Sequence, residues 1–340
     1  MKFTLTDEQS GFARSLDDLL SRADSVAANR AWAAGDHEPG LKLWSRLADL
    51  GVGGGGRGAP PPGKRTPGGG GRPPRAHLRG PGWVSGGGPP APPPPTPVEI
   101  GIAFEAIGRH VVPGPWIESA AYLPLARTDV DLTESRTTVA MPYAVDADVA
   151  DEVYALVDGE LHTATAERRV TSIDPSRHLF TVTAGEPVAH GDLDAAYDLA
   201  VLATAAQLLG AGERVLADSV AYVKQRTQFG RAIGSYQAIK HQLADARIAL
   251  DFARPLVFGA ALELTPRSVS AAKLQAAEAA NLAARVGLQV HGAIGYTEEY
   301  DLSRWLLRIR ALQSAWGTAS FHRERLLASL LADQSLSPSK

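Results

Sequence analysis

The chain has 340 residues, 44% of them hydrophobic and 21% charged, with a formal net charge of −3. That length and balance suit a globular protein with a sizeable buried core, and they give no electrostatic footprint for nucleic acid or an anionic membrane. There are no cysteines, which excludes thiol catalysis, disulfides and cysteine-ligated metals. Met1-Lys2-Phe3-Thr4 leads into polar residues instead of an apolar signal core, and no run reads as long and apolar enough to span a bilayer. A cytoplasmic protein is the expectation.

Thr6-Asp7-Glu8-Gln9 has the makings of a capping box, with Thr6 bonding forward and Gln9 reaching back. Phe12, Leu16 and Leu19 follow at helical spacing, and Trp44, Leu47 and Leu50 close another helix before Gly51. Residues 51–97 break the pattern with runs such as Gly53-Gly54-Gly55-Gly56 and Pro92-Pro93-Pro94-Pro95. Such a composition buries too little apolar surface to offset the entropy of ordering it. Helical periodicity returns from Val98 to His110 through Ile102, Phe104 and Ile107, and Pro113-Gly114-Pro115 stops it. Residues 116–127 leave room for one more short helix.

From Thr137 to Thr183 the period shifts toward two. Residues 153–157 and 160–164, joined by Asp158-Gly159, predict a hairpin, and residues 169–173 and 178–183 predict two further strands. Beyond Asp192 the chain is alanine-rich and helical. Ile239, Leu243, Ala246, Leu250, Ala253 and Val257 repeat in steps of four and three, as do Ala276, Ala279, Ala283, Val286 and Val290. A third pattern runs through Leu302, Trp305, Leu306 and Ile309. This spacing is what helices packed at shallow angles require, with Pro255 expected to kink or end the first of them. The predicted fold is mainly α with a small β domain: an N-terminal helical domain over 1–115, a reduced middle β domain over 116–190 and a C-terminal helical bundle over 191–335.

Gly210-Ala211-Gly212 invites a dinucleotide-loop reading, but alanine-rich helix precedes it where a strand would be needed, so close helix packing explains the glycines. The nine histidines show no pairing at metal-ligand spacing, so no metal is expected, and no nucleophile-elbow serine occurs. The most informative stretch is Tyr222 to Ile233, with Arg226-Thr227-Gln228-Phe229-Gly230 at its centre and Tyr236-Gln237 after it. Arginine supplies a planar, permanently charged fork suited to a pyrophosphate, phenylalanine a flat apolar face, and glycine a tight turn. A second stretch is Gln289-Val290-His291-Gly292-Ala293-Ile294-Gly295-Tyr296.

These two stretches resemble, in order and separation, the "Y…R-x-Q-F-G-x-x-I…FQ" and "Q-x-x-G-G-x-G-Y" signatures of the acyl-CoA dehydrogenase family of flavoproteins. The resemblance covers about four-fifths of the chain and implies the family's N-terminal helices, middle β domain and C-terminal four-helix bundle. It also implies FAD at a subunit interface. There Arg226, Gln228 and Phe229 would contact the pyrophosphate and flavin of a neighbour's cofactor, and Gln289 and Gly292 its adenine-side half. Ala293 stands where a second glycine is usual. The family pattern stops at Gly51 and resumes near Val98 with about the normal number of residues between. A compensated frame error in a GC-rich coding sequence would yield this mix of Gly, Pro, Arg and Ala. Mass-spectrometric recovery of the Gly/Pro peptides would refute that reading.

Two departures concern the chemistry. The family's base is usually the glutamate of "Y-E-G-T", and the matching residues here are Ala315-Trp316-Gly317-Thr318. Thr318 is kept among the cofactor residues, but Trp316 occupies the glutamate's place, and an indole has no basic lone pair to take a proton. The alternative position falls at about Ala200, so no catalytic residue is assigned. The "T-E-P…G-S-D" loop and "W-x-x-N" strand that hold the flavin ring are also missing. The chain therefore resembles the degenerate subunit of actinobacterial heterotetrameric members that act in steroid and lipid degradation. The partners implied are a catalytic acyl-CoA dehydrogenase subunit or a second copy in a tetramer, an acyl-CoA, and an electron-transfer flavoprotein as acceptor. Two alternatives stand beside this: a self-sufficient homotetramer using an unrecognised carboxylate, with Glu298 and Glu299 nearby in sequence, and a flavin-free structural bundle.

Overall fold

The computed structural model describes residues 4–53, 95–129, 135–297 and 299–335. The Gly/Pro-rich stretch lies almost wholly outside the described residues, as does Glu298. Three helices open the chain: α1 (Asp7–Arg22), α2 (Ser25–Ala33) and α3 (Glu38–Asp49). The capping box at Thr6 is formed as the sequence predicts: Gln9 N donates to Thr6 Oγ1 at 3.2 Å and Thr6 N to Gln9 Oε1 at 3.1 Å. Helix α4 (Pro97–Arg109) starts on a second capping box, Thr96 with Glu99. A π-helical turn (Glu118–Tyr122) and the short α5 (Leu123–Ala126) fill the place left for one more helix.

The sheet has the order β1-β3-β4-β5-β2, from β1 (Thr137–Ala140), β2 (Ala144–Val145), β3 (Glu152–Val157), β4 (Glu160–Val170) and β5 (Leu179–Pro187). Only β1 with β3 is parallel; the remaining pairs are antiparallel. The β3–β4 hairpin turns on Asp158 and Gly159, both at positive φ, as the Asp-Gly signal predicts. One strand expectation is corrected. Residues 169–173 are not a separate strand, because β4 runs on to Val170 through a register shift between Ala166 and Arg169, and Ile173 falls in the following turn.

Helices α6 (Leu193–Gln225), α7 (Gln237–Glu263), α8 (Pro266–His291), α9 (Leu302–Leu312) and α10 (Ala319–Ser335) complete the fold. Val215 packs on Gly287 and Tyr222 on His291, so α6 and α8 run in the same direction, while Gly234 against Val223 and Leu250 against Gly212 show that α7 returns the opposite way. Of the two outcomes expected at Pro255, a kink or an end, the helix does not end there: α7 continues through it to Glu263. A second correction concerns α6: its 33 residues are long and apolar enough to cross a membrane, but 89% of its most apolar window is buried inside the protein, which makes it a core helix.

The glycines read as packing residues do pack. A Cβ on Gly210 would lie 1.9 Å from Glu105 O, and one on Gly108 2.0 Å from Gln207 O, so α4 crosses α6 in near backbone contact. A charge network braces this crossing. Arg254 of α7 bonds both Glu105 oxygens, at 2.8 and 3.0 Å, and reaches Glu213 of α6 at 3.0 Å. Arg247 grips Glu213 at 2.6 Å through both oxygens. Burial alone would raise the Glu213 carboxyl; Arg247 and Arg254 outweigh it and hold the group below its ordinary range. Arg308 of α9 ties the sheet to the helices by bonding Asp174, Ser176 and Val112 O.

Candidate functional site

The central motif builds a projecting arm at the end of α6. Arg226 caps the helix, and β6 (Thr227–Gln228) pairs with β7 (Arg231–Ala232) across a two-residue turn, Phe229-Gly230. Both turn residues sit at positive φ, 52° and 81°. Such a turn favours Asn-Gly, and a bulky residue at its first position is strained. Phe229 is nevertheless there, 92% exposed, with its ring in solvent. Strain retained for an exposed aromatic is a signal of use rather than of packing. The arm itself is braced: Ile233 N donates to Arg226 O at 2.8 Å, and the Arg231 guanidinium lies 4.0 Å over the Tyr236 ring.

The second motif ends α8 beside the arm's base. His291 stacks on Tyr222 at 4.2 Å, which joins the two signatures at one end of the bundle. Gln289 is exposed there, and Gly292 is exposed at φ 67° with no atom of the described residues within 4 Å of where a Cβ would stand. This open backbone cradle suits close approach by a ligand. Ala293 lies in the 3-10 turn Gly292–Tyr296 at negative φ, so the missing second glycine imposes no backbone strain.

Trp316 and Thr318 lie elsewhere. Trp316, at φ 54° and buried, packs on Tyr122 and on Tyr197 near the start of α6; its carbonyl accepts from the Tyr197 hydroxyl at 2.9 Å. Thr318 caps α10 by accepting from Phe321 N at 3.3 Å. Tyr197 and Arg226 are 29 residues apart on one continuous helix, roughly 45 Å at the α-helical rise. The fold thus brings together Arg226, Gln228, Phe229, Gln289 and Gly292 and separates them from Trp316 and Thr318.

At the Trp316 end lies a cavity of about 320 Å³, between the β1–β2 corner at Met141, Pro142 and Tyr143, the turn after β4, and the α9–α10 connection. A larger groove of about 610 Å³ between α1, α4 and α7 holds none of the motif residues. The 320 Å³ cavity contains a carboxylate that sequence reading missed, Glu118, on the π-helical turn and 4% exposed. Burial pushes its carboxyl up, against the pull of Arg177. No local signal marks Glu118, because only the fold brings it to Trp316. Ala200 is buried in α6, and Asp198 beside it is tied to Arg325 at 2.6 Å. Glu299 is exposed in the turn before α9.

A carboxylic acid raised in the folded state disfavours folding as pH climbs from its ordinary range through the raised value. Glu118→Gln should therefore be as stable as the parent in acid and more stable at pH 8. The gain is read from urea unfolding at pH 4.5 and 8.

Residues 198–331 match the family model "Acyl-CoA dehydrogenase, C-terminal domain". The acyl-CoA dehydrogenase IpdE2 of Mycolicibacterium smegmatis is 33% identical over 241 residues, which cover 67% of this chain and 77% of that protein. The chain belongs to the acyl-CoA dehydrogenase family. IpdE2 of Mycobacterium tuberculosis is 34% identical over 221 residues, 61% of this chain and 70% of its own. In structure, a chain of the ChsE4-ChsE5 complex from Mycobacterium tuberculosis superposes with TM-score 0.74 at 18% identity, covering both chains fully, and so shows the acyl-CoA dehydrogenase fold.

Proposed function

We propose that this chain is an acyl-CoA dehydrogenase subunit that completes the FAD site of a catalytic partner in an α2β2 tetramer. The observation that carries this reading is the distance along α6 between the arm and the Trp316 cavity. A dinucleotide held by Arg226 and Phe229 cannot also lie over the chain's own cavity, so the arm serves a cofactor seated in another chain. The residues suit that role, with an exposed guanidinium, an exposed ring and an open glycine backbone at one end of the bundle. Arg226 would pair with the pyrophosphate, Gln228 and Phe229 would border the flavin, and Gln289 and Gly292 would line the adenine side.

The residues of the arm would hold FAD, which would supply the hydride acceptor for α,β-desaturation of an acyl thioester. This chain's part is to hold and orient the nucleotide; Trp316 has no lone pair for the α-proton, which falls to a carboxylate of the partner. The substrate class is an acyl-CoA of lipid or steroid breakdown, with an electron-transfer flavoprotein as the acceptor. The heteromeric form is supported by the shared fold with a chain of the two-component ChsE4-ChsE5 complex.

Native mass spectrometry of the chain co-produced with the product of the adjacent gene tests this. The expected result is a heterotetramer carrying FAD, with the chain alone unable to oxidise acyl-CoA. Acyl-CoA oxidation by the isolated chain would overturn it. A second reading, self-sufficient catalysis, is favoured by one observation, the buried Glu118 beside Trp316. Under the first reading Glu118→Gln leaves the turnover of the complex unchanged; under the second it costs about a hundredfold or more.

A further inference from the structure

Three residues far apart in sequence converge where the N-terminal helices meet the sheet. His37, at the start of α3, Asp148, in the β2–β3 connection, and His178, just before β5, direct one donor atom each toward a common point. His178 Nδ1 is 2.9 Å from Asp148 Oδ2, His37 Nε2 is 3.4 Å from His178 Nδ1, and His37 Nε2 is 3.6 Å from Asp148 Oδ2. In a tetrahedral zinc site with bonds of about 2.0–2.1 Å, ligand atoms stand about 3.3–3.4 Å apart. The observed triangle brackets that edge length.

The surroundings hold the donors in place. His178 is 1% exposed, and its backbone N–H is fixed to Asp146 Oδ1 at 2.9 Å. The Trp32 ring stands edge-on to His37 at 4.6 Å and donates its own N–H to Asp146 Oδ1 at 3.0 Å. Asp148 and His37 stay partly open to solvent, which leaves room for a water on the remaining coordination position. Charge near the cluster is mixed, with Asp36 and Asp148 against Arg169.

A second observation points the same way. His178 Nε2 and Asp146 Oδ2 are both buried without a hydrogen-bond partner among the described residues. A proton on His178 Nδ1, donated to Asp148, leaves Nε2 as a buried acceptor with no donor. A metal on Nδ1 would move the proton to Nε2 and turn that buried acceptor into a donor, the tautomer that ligating histidines adopt.

We propose that His37 Nε2, Asp148 and His178 Nδ1 bind a divalent ion of the zinc class, completed by water, which staples the α2–α3 corner to the sheet. The site shares no residue with the arm and is independent of the flavin reading. Its test uses the full chain in the complex in which it purifies, stripped with a chelator and dialysed against zinc alone or magnesium alone. The expected result is one zinc retained per chain, no magnesium, and a rise in Tm with zinc. His37→Gln and Asp148→Asn should each weaken zinc binding about 100-fold or more, while His241→Gln, an exposed histidine on α7, should not. Zinc-edge X-ray absorption of the unsubstituted protein should show two imidazoles and oxygen ligands, which needs no variant to fold. Substoichiometric zinc, or zinc lost equally in His241→Gln, would mean adventitious surface binding only and would overturn the site.

Discussion

If the arm holds FAD in the proposed complex, replacing Arg226 by alanine should weaken FAD retention about 30- to 1000-fold. That is the roughly 2–4 kcal/mol lost when one member of a desolvated, hydrogen-bonded charge pair is removed. Phe229→Asn separates the function of the arm from its conformation. Asparagine tolerates the left-handed backbone that Phe229 is forced into, so the arm should become less strained by about 1 kcal/mol while losing its ring. Flavin retention and turnover should fall although Tm holds or rises. Ultrafiltration of the yellow complex, followed by absorbance of retained flavin, reads both variants. If Phe229→Asn keeps full flavin and full activity, the exposed ring is not a cofactor contact.

The second large effect lies in the core. Gly210→Ala would set a methyl carbon 1.9 Å from Glu105 O, and Gly108→Ala would do the same 2.0 Å from Gln207 O. In both cases the obstacle is main chain of a packed helix, which cannot swing aside as a side chain can. Each substitution should cost about 3 kcal/mol or more by forcing α4 off α6. The pair should cost less than the sum, because the first displacement opens space for the second. Gly11→Ala supplies the contrast. Gly11 sits inside α1 with nothing within 4 Å of the added carbon, so alanine there should stabilise by about 0.5–1 kcal/mol. Urea unfolding of the three variants gives the comparison, and equal effects at Gly11 and Gly210 would refute the crossing argument.

What could be read from the residues was whatever depends on near neighbours. The Thr6 box, the Asp158-Gly159 turn and the four-three stripes of α7 and α8 each involve residues a few positions apart, so their physics is local. The β4–β5 region was misjudged because a register shift after Ala166 lengthens the strand without any proline or glycine to announce it. Pro255 does not end α7 because the rule that proline breaks helices is a local cost, and burial of Leu250, Ala253, Val257 and Ala260 around it outweighs that cost. At the site, the motif residues were identifiable one by one, but their division between the two ends of α6 was not. Separation along a helix becomes informative only once the helix is known to be unbroken for 33 residues. Glu118 and the His37–Asp148–His178 cluster left no trace in the sequence, since their members are joined only by tertiary structure.

Helix α4 carries its own starting signal. Thr96 and Glu99 satisfy each other's backbone donors, at 2.7 and 3.4 Å, and Pro97 occupies the first turn, where its missing N–H costs nothing. Its apolar face then meets α1 through the shared core of Leu16, Leu20, Ile100 and Phe104. Nothing in that arrangement relies on a covalent link from the preceding polypeptide. A protease cut placed just ahead of Thr96 should therefore release no fragment: the amino-terminal piece would stay clamped to the remainder, visible as two bands under denaturing electrophoresis and one species in gel filtration.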